Sequence, residues 1–118
     1  MGYETWTATV DPGQRLRICV AMDAQEDARI VNASLGEPLK NSSDDSRTCL
    51  LFKISPDLED DYQLVPLTTL IPFRYEHTQL DILLPKGRKY ELQCHGDNSI
   101  SLVGIQSEGG EYVSYSLF

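Results

Sequence analysis

Two histidines, three cysteines and two runs of acids are the residues on which any chemistry would rest. His77 and His95 occur in neither a His-x-x-x-His nor a Cys-x-x-Cys spacing, so neither has the partners a zinc site needs. Cys19, Cys49 and Cys94 are an odd, widely spaced set, a poor disulfide framework. Each lies within or at the end of an apolar run and reads as a small buried hydrophobe in a reducing compartment. Cys94 and His95 are adjacent, so on a strand they point to opposite faces and do not form a nucleophile–base pair. No Gly-x-Ser-x-Gly elbow and no glycine loop for a phosphate occurs. The expectation is therefore no catalytic residue, no metal and no cofactor.

The acids are more informative. Asp44, Asp45, Asp57, Glu59, Asp60 and Asp61 hold six of the 18 acids, against only Arg47 and Lys53 in the same span. They lack the interleaved Asp-x-Asp-x-Asp-Gly order that aims oxygens at calcium. Two readings remain. Either the acids are solvated loops that keep the protein soluble, or they form an electrostatic landing site for a basic protein. The net charge of −8 argues against general binding to nucleic acid or anionic membranes, because neutralising phosphate requires Lys and Arg.

The elements that must position these acids read as strands. Arg15–Val20 alternates, with Leu16, Ile18 and Val20 on one face. Gln79–Leu84 does the same through Leu80, Ile82 and Leu84, Tyr90–Cys94 through Tyr90, Leu92 and Cys94, and Ser99–Ile105 through Ile100 and Leu102. Turn signals at Asp11-Pro-Gly13, Pro85-Lys-Gly87 and Gly96-Asp-Asn98 separate them. Pro66 and Pro72 bracket Leu67–Ile71, which suggests an edge strand or an irregular crossing. Asp23–Arg29 tolerates helix but is too short to stand alone. Eight strands are expected, near 4–9, 15–22, 28–35, 47–54, 63–71, 78–84, 89–95 and 99–106. That pattern implies an all-β sandwich or barrel.

The 118 residues suit one domain, and 41% hydrophobic content is globular. We expect a core over 1–108 and a C-terminal extension, 109–118, that is either an extra strand or disordered. No apolar run approaches a membrane span, and Met1–Trp6 has no secretory character. Sequons at Asn32-Ala-Ser34 and Asn41-Ser-Ser43 are generic.

Several segments, in order, resemble the nucleoplasmin-like domain. Trp6 with Val10-Asp-Pro-Gly13 is similar to a Trp-Gly-x-x-Val-x-x-Gly opening. Ile30–Gly36 resembles a strand ending Ala-x-Leu-Gly, and Leu67–Pro72 a Leu-x-x-Leu-x-Pro segment. Gln79–Leu84 is similar to the Leu-x-Leu strand that follows. Gly96–Gly104 is similar to Gly-x-x-x-Val-x-Leu-x-Gly, with Ile100 in the Val position. The pattern fits the nucleolar immunophilin and plant histone-deacetylase-like branches better than the animal nucleoplasmins. Glu4-Thr5 replaces an aromatic before Trp6, the 37–46 loop is long, and the family's acidic tail is missing from these residues.

The resemblance implies an eight-stranded jelly-roll β-sandwich that forms a homopentamer, with stacking into a decamer as a further option. It implies a nuclear or nucleolar histone chaperone that binds core histones, here through Asp44, Asp45, Asp57, Glu59, Asp60 and Asp61. No cofactor, direct nucleic-acid contact, membrane contact or enzymatic activity is implied. The alternative is an oligomerisation module of a larger protein, such as a nucleolar prolyl isomerase, whose histone contacts lie on a tail outside this chain. Subunit contacts are expected near 63–71 and 89–105.

Overall fold

Alternation becomes strands wherever one face of a segment is apolar and the other is not. In the computed structural model, which describes residues 2–43, 45–54 and 64–117, this happens nine times. The strands are β1 (Tyr3–Val10), β2 (Arg15–Val20), β3 (Ala28–Leu35), β4 (Thr48–Ile54), β5 (Val65–Leu70), β6 (His77–Leu84), β7 (Lys89–Gly96), β8 (Ile100–Ser107) and β9 (Val113–Leu117). The first eight fall within two residues of the expected spans. The Asp23–Arg29 stretch turns into β3 and forms no helix. The 113–117 segment, open at the level of sequence between strand and disorder, is a strand.

Two antiparallel sheets form, one in the order β1-β8-β3-β6 and the other β5-β4-β7-β2-β9. Each of the connections β1–β2, β3–β4, β5–β6 and β7–β8 crosses from one sheet to the other, so these strands face one another in pairs. This is a jelly-roll sandwich with a fifth strand, β9, added beside β2. Its antiparallel register runs from Val20↔Val113 to Leu16↔Leu117. The side chain of Gln106 secures the crossing into β9, donating to the Gly110 carbonyl at 2.8 Å and accepting from the Val113 N–H at 2.9 Å.

The core lies between the inward rows. Leu16, Ile18, Ile30, Leu50, Leu84, Leu92, Ile100 and Leu102 are fully buried. Each contributes on the order of 1.5–3 kcal/mol of hydrophobic stabilisation. Phe52 and Tyr90 stack at 5.9 Å between centroids. The Tyr90 hydroxyl donates to the Pro85 carbonyl at 2.5 Å, which satisfies the one polar atom of that ring. Pro66 lies on the edge strand β5, beside the register shift at Leu50/Leu51, where a missing N–H does least harm.

Simple alternation fails on β7. Glu91 and Gln93 point away from the core yet are buried, as is Lys53 on β4. In register, Lys53 and Arg17 lie on either side of Glu91, and Gln93 Nε2 donates to Glu91 Oε2 at 2.8 Å. Arg17 Nε is 3.5 Å from Glu91 Oε1. The outer face of the five-stranded sheet therefore carries a charge-alternating row in place of solvated side chains.

Two local conformations matter below. Phe73, in the β5–β6 turn, has φ 64°, which costs a bulky L-residue roughly 1–2 kcal/mol. Gly104 lets the Trp6 ring lie on the β8 backbone, with the indole N–H donating to the Ile105 carbonyl at 3.2 Å. A Cβ at Gly104 would meet the Trp6 ring at 2.1 Å and the Arg29 carbonyl oxygen at 2.6 Å. Gly104→Ala is therefore expected to lower stability by about 1–3 kcal/mol and to shift the emission of Trp6, the chain's only tryptophan. Denaturant titration followed by fluorescence checks both.

Candidate functional site

The crossing connections dictate where polar residues gather. Turns 11–14, 36–47, 71–76 and 97–99 all fall at one end of the sandwich, and turns 21–27, 85–88 and 108–112 fall at the other. At the first end the long 36–47 segment needs partners for its backbone. A single buried side chain supplies three of them.

That side chain is Asn98, fully buried in the β7–β8 turn. Its Oδ1 accepts the N–H groups of Lys40 at 2.7 Å and Asn41 at 2.9 Å. Its Nδ2 donates to the Asn41 carbonyl at 2.9 Å and to Ser46 Oγ at 3.5 Å. Its own N–H donates to Thr48 Oγ1 at 3.2 Å. Every donor and acceptor of the amide is used, the condition under which a buried polar group stabilises its surroundings. Asp97 adds a second tie, accepting from Asn41 Nδ2 at 3.1 Å and Ser46 Oγ at 3.0 Å. Asp11 accepts from Ser99 Oγ and lies 3.8 Å from Lys40 Nζ.

This network holds acids at a common end. Asp45 is exposed, and its N–H donates to Ser43 Oγ at 3.2 Å. Asp11, Glu37 and Asp97 occupy the same end. Sequence reasoning missed these three because each stands alone in the chain. Their shared signal was position, since each is a turn acid directly after or near an odd-numbered strand. Of the six acids singled out from sequence, Asp44, Asp57, Glu59, Asp60 and Asp61 lie outside the described residues. Asp45 precedes Thr48 at one end of β4, and Ile54, the last described residue before the 57–61 run, closes the other end about 20 Å away at the usual rise per residue.

Catalytic geometry does not assemble from the candidate residues. Cys94 is buried, its Sγ donates to the Asn98 carbonyl at 3.1 Å, and burial pushes its pKa up to about 11. The thiolate, the nucleophilic form, is thus suppressed. His95 points the other way and shares a 2.8 Å hydrogen bond with Gln93 Oε1. Cys19 and Cys49 are only half-buried, so the expectation that all three cysteines are buried holds fully for Cys94 alone. Among the described residues no group of three His, Cys, Asp or Glu side chains is placed to hold a metal. An open cleft of about 660 Å³ is lined by Asn32, Ser34, Tyr75, His77, Thr78 and Gln79, with Ser34 and His77 opposite one another in the β3–β6 register.

Comparison with known proteins puts this arrangement in context. The sequence profile of the nucleoplasmin-like domain matches residues 5–107. No curated protein sequence matches the chain. Among solved structures, the nucleoplasmin-like N-terminal domain of Drosophila FKBP39 is similar, with a TM-score of 0.60 and 15% identity over 92% of this chain and 93% of that one. The Drosophila NLP-core, whose crystal structure was described in terms of pentamer formation and histone binding, gives a TM-score of 0.68. Its identity is 12% over 92% of this chain and all of its own (100%).

Two outcomes follow from the buried network. Asn98→Ala strands the Lys40 and Asn41 N–H groups and is expected to cost about 1–3 kcal/mol, with 36–47 becoming the fastest-cleaved segment in limited proteolysis. In native protein, Cys19 and Cys49 are expected to react with a thiol reagent well before Cys94, which requires denaturant. Because the folded Cys94 pKa is raised above its ordinary 9.0, its contribution to stability is complete below pH 9 and is lost as pH rises toward 11. Melting curves across that range, compared with Cys94→Ala, isolate the effect.

Proposed function

The chain belongs to the nucleoplasmin-like domain family, and we propose that it is a histone-chaperone core, a homopentamer that holds basic core histones on its acidic loops. The observation carrying this reading is the fold it shares, over 92% of its length, with the Drosophila NLP-core, the protein described in terms of pentamer formation and histone binding. The electrostatics support it. A histone's basic surface needs reversible shielding, and an acidic oligomer supplies it through many weak contacts. Five copies at −8 carry −40. An exposed ion pair contributes only about 0.2–1 kcal/mol, so repetition around the ring supplies the avidity.

The acids fall in two sets. Asp45, with Asp11, Glu37 and Asp97, lies at the Asn98 end, and we group its chain neighbour Asp44 with them. Asp57, Glu59, Asp60 and Asp61 come after β4 in the chain. A histone held at one end would engage one set per subunit, five times over. The fold is that of a chaperone and assembly family, and we propose no catalysis, cofactor, metal, membrane contact or direct nucleic-acid contact. The setting we propose is the nucleus, with the nucleolus as the narrower choice, and stacking into a decamer as a further possibility of the fold.

The second reading, an oligomerisation module of a larger protein, is favoured by one feature. A charge of −8 over 118 residues is modest for a histone shield, and the FKBP39 relative is an N-terminal domain. An acidic tail elsewhere in the protein would then carry the histones.

Light scattering at micromolar concentration is expected to give about 66 kDa, five times the 13.3 kDa chain. A monomer mass would remove the ring. Capture of core histones is expected to persist at ~150 mM salt, where the screening length is about 8 Å. Loss of all binding there favours the oligomerisation module. Converting Asp44 and Asp45 to Asn, or separately Asp57, Asp60 and Asp61 to Asn with Glu59 to Gln, is expected to weaken capture about tenfold for the set in use, equivalent to ~1.4 kcal/mol. Unchanged capture by both variants removes the acidic-loop role.

A further inference from the structure

A five-stranded sheet lies over a four-stranded one, so one strand has nothing opposite it. Strand β2 faces β1, and β9 projects beyond β1. Its register with β2 pairs Val113, Tyr115 and Leu117 with Val20, Ile18 and Leu16, all core residues. The side chains of β9 on that same face therefore look inward toward a core that stops short of them. Tyr115 remains 50% exposed and Leu117 46% exposed. Residues 112–117 contain no charge and no proline, the devices that normally protect a free edge from other chains.

The opposite side of the sandwich carries a second exposed apolar patch. There β5 and β6 are the edge strands of the two sheets. Leu67, Leu80 and Ile82 are only partly buried in the seam between them, and Val65 is exposed. The turn joining them projects Phe73, 74% exposed and held in the left-handed region at φ 64°. The turn is braced. Ile71 and Tyr75 exchange backbone hydrogen bonds at 2.8 and 2.9 Å, and the Phe73 N–H donates to Glu76 Oε2 at 2.6 Å. A strained backbone and three hydrogen bonds hold an aromatic ring out in solvent, where it gains nothing in the isolated chain.

We propose that the overhanging face of β9 is the socket, and the Phe73 turn with the β5–β6 seam the knob, of a head-to-tail contact between copies of this chain. The two patches lie on opposite sides of one molecule, and they match end for end. Leu117 pairs with Leu16 at the end of the sandwich where turns 11–14 and 71–76 lie. Copies turned about an axis running along the strands would thus meet knob to socket at the same level. A contact between two different patches does not give a two-fold dimer; it gives a ring where the rotation between copies closes, as the proposed pentamer requires. The contact rests on the self-assembly half of the proposed function. It assigns half of the interface to a strand that lies beyond the 5–107 span of the family match.

The test uses the whole chain with Cys19 and Cys49 replaced by serine. Phe73→Cys and Leu117→Cys variants are prepared singly, mixed and oxidised. The mixture is expected to give covalent dimers through one residue of each kind. The double variant is expected to give a ladder up to the full ring, and neither single variant alone should cross-link. Cross-linking of Phe73→Cys with itself would show a two-fold contact and overturn the proposal. Separately, Tyr115→Ser with Leu117→Ser is expected to reduce the mass at micromolar concentration at least twofold, with the circular dichroism of the sheets retained. An unchanged mass together with no mixed cross-link overturns this contact while leaving the oligomer standing. An unmodified chain that is itself monomeric overturns the oligomer and this contact together. Unchanged mass with loss of histone capture would make β9 a docking strand for the partner, which also overturns the proposal.

Discussion

The rest of the molecule depends on the contact between the inward faces of its two sheets. Leu16, Ile18 and Leu92 on one side and Ile30, Ile100 and Leu102 on the other lose all solvent exposure there. Side chains alternate with a period of two, so this one buried plane fixes the register of every strand that contributes to it. It also fixes the position of the loops. Every connection but β4–β5 crosses the plane, and four of these crossings bring their turns to one end. The Asn98 network exists because those turns are forced together. The acids at that end owe their proximity to packing between Leu and Ile side chains some distance away.

Much of this was legible from the chain alone, and the physical reason is the same alternation. Residues such as Leu16, Ile18 and Val20 announce a strand and its buried face with no knowledge of the partner strand. Gly13 and Gly87, at φ 82° and 79°, were readable as turns because an L-side chain is strained there. Features requiring knowledge of a distant neighbour were not legible. Alternation assigns Glu91 and Gln93 to solvent, and only the positions of Lys53 and Arg17 across two strand pairings account for their burial. Asn98 looks like any turn residue until Lys40 and Asn41, more than fifty positions away, arrive above it. Tyr115 and Leu117 alternate like strand residues, but the edge they pair with is defined by the order of the other strands.

The acidic loops show the same division between composition and topology. In the sequence they are two runs on either side of β4. In space, β4 separates their points of attachment by its full length. Clustering along the chain had been the signal for a landing site. Clustering in the fold adds Asp11, Glu37 and Asp97 to Asp45. Charges interact through space with a range of roughly 8 Å at physiological salt. The set assembled by the fold is therefore the one that would act together on the basic partner we propose.

An assembly built this way sets two kinds of force against each other. In the ring we propose, subunits that each carry −8 repel, and closing it brings five such charges together. The contact that closes it must therefore be apolar, as the faces of β9 and of the β5–β6 seam are, because ion pairs between two acidic surfaces would not suffice. Histone capture has the opposite character, with attraction between unlike charges and little apolar area. Salt then separates the two processes. Raising it screens repulsion within the ring and leaves the apolar seam intact, while it weakens the hold on a basic partner. A shield of this kind can give up its cargo to DNA, a denser polyanion, without coming apart. That requires the adhesive residues to lie on the sides of the sandwich and the charged ones at its ends, the division that the crossing connections impose.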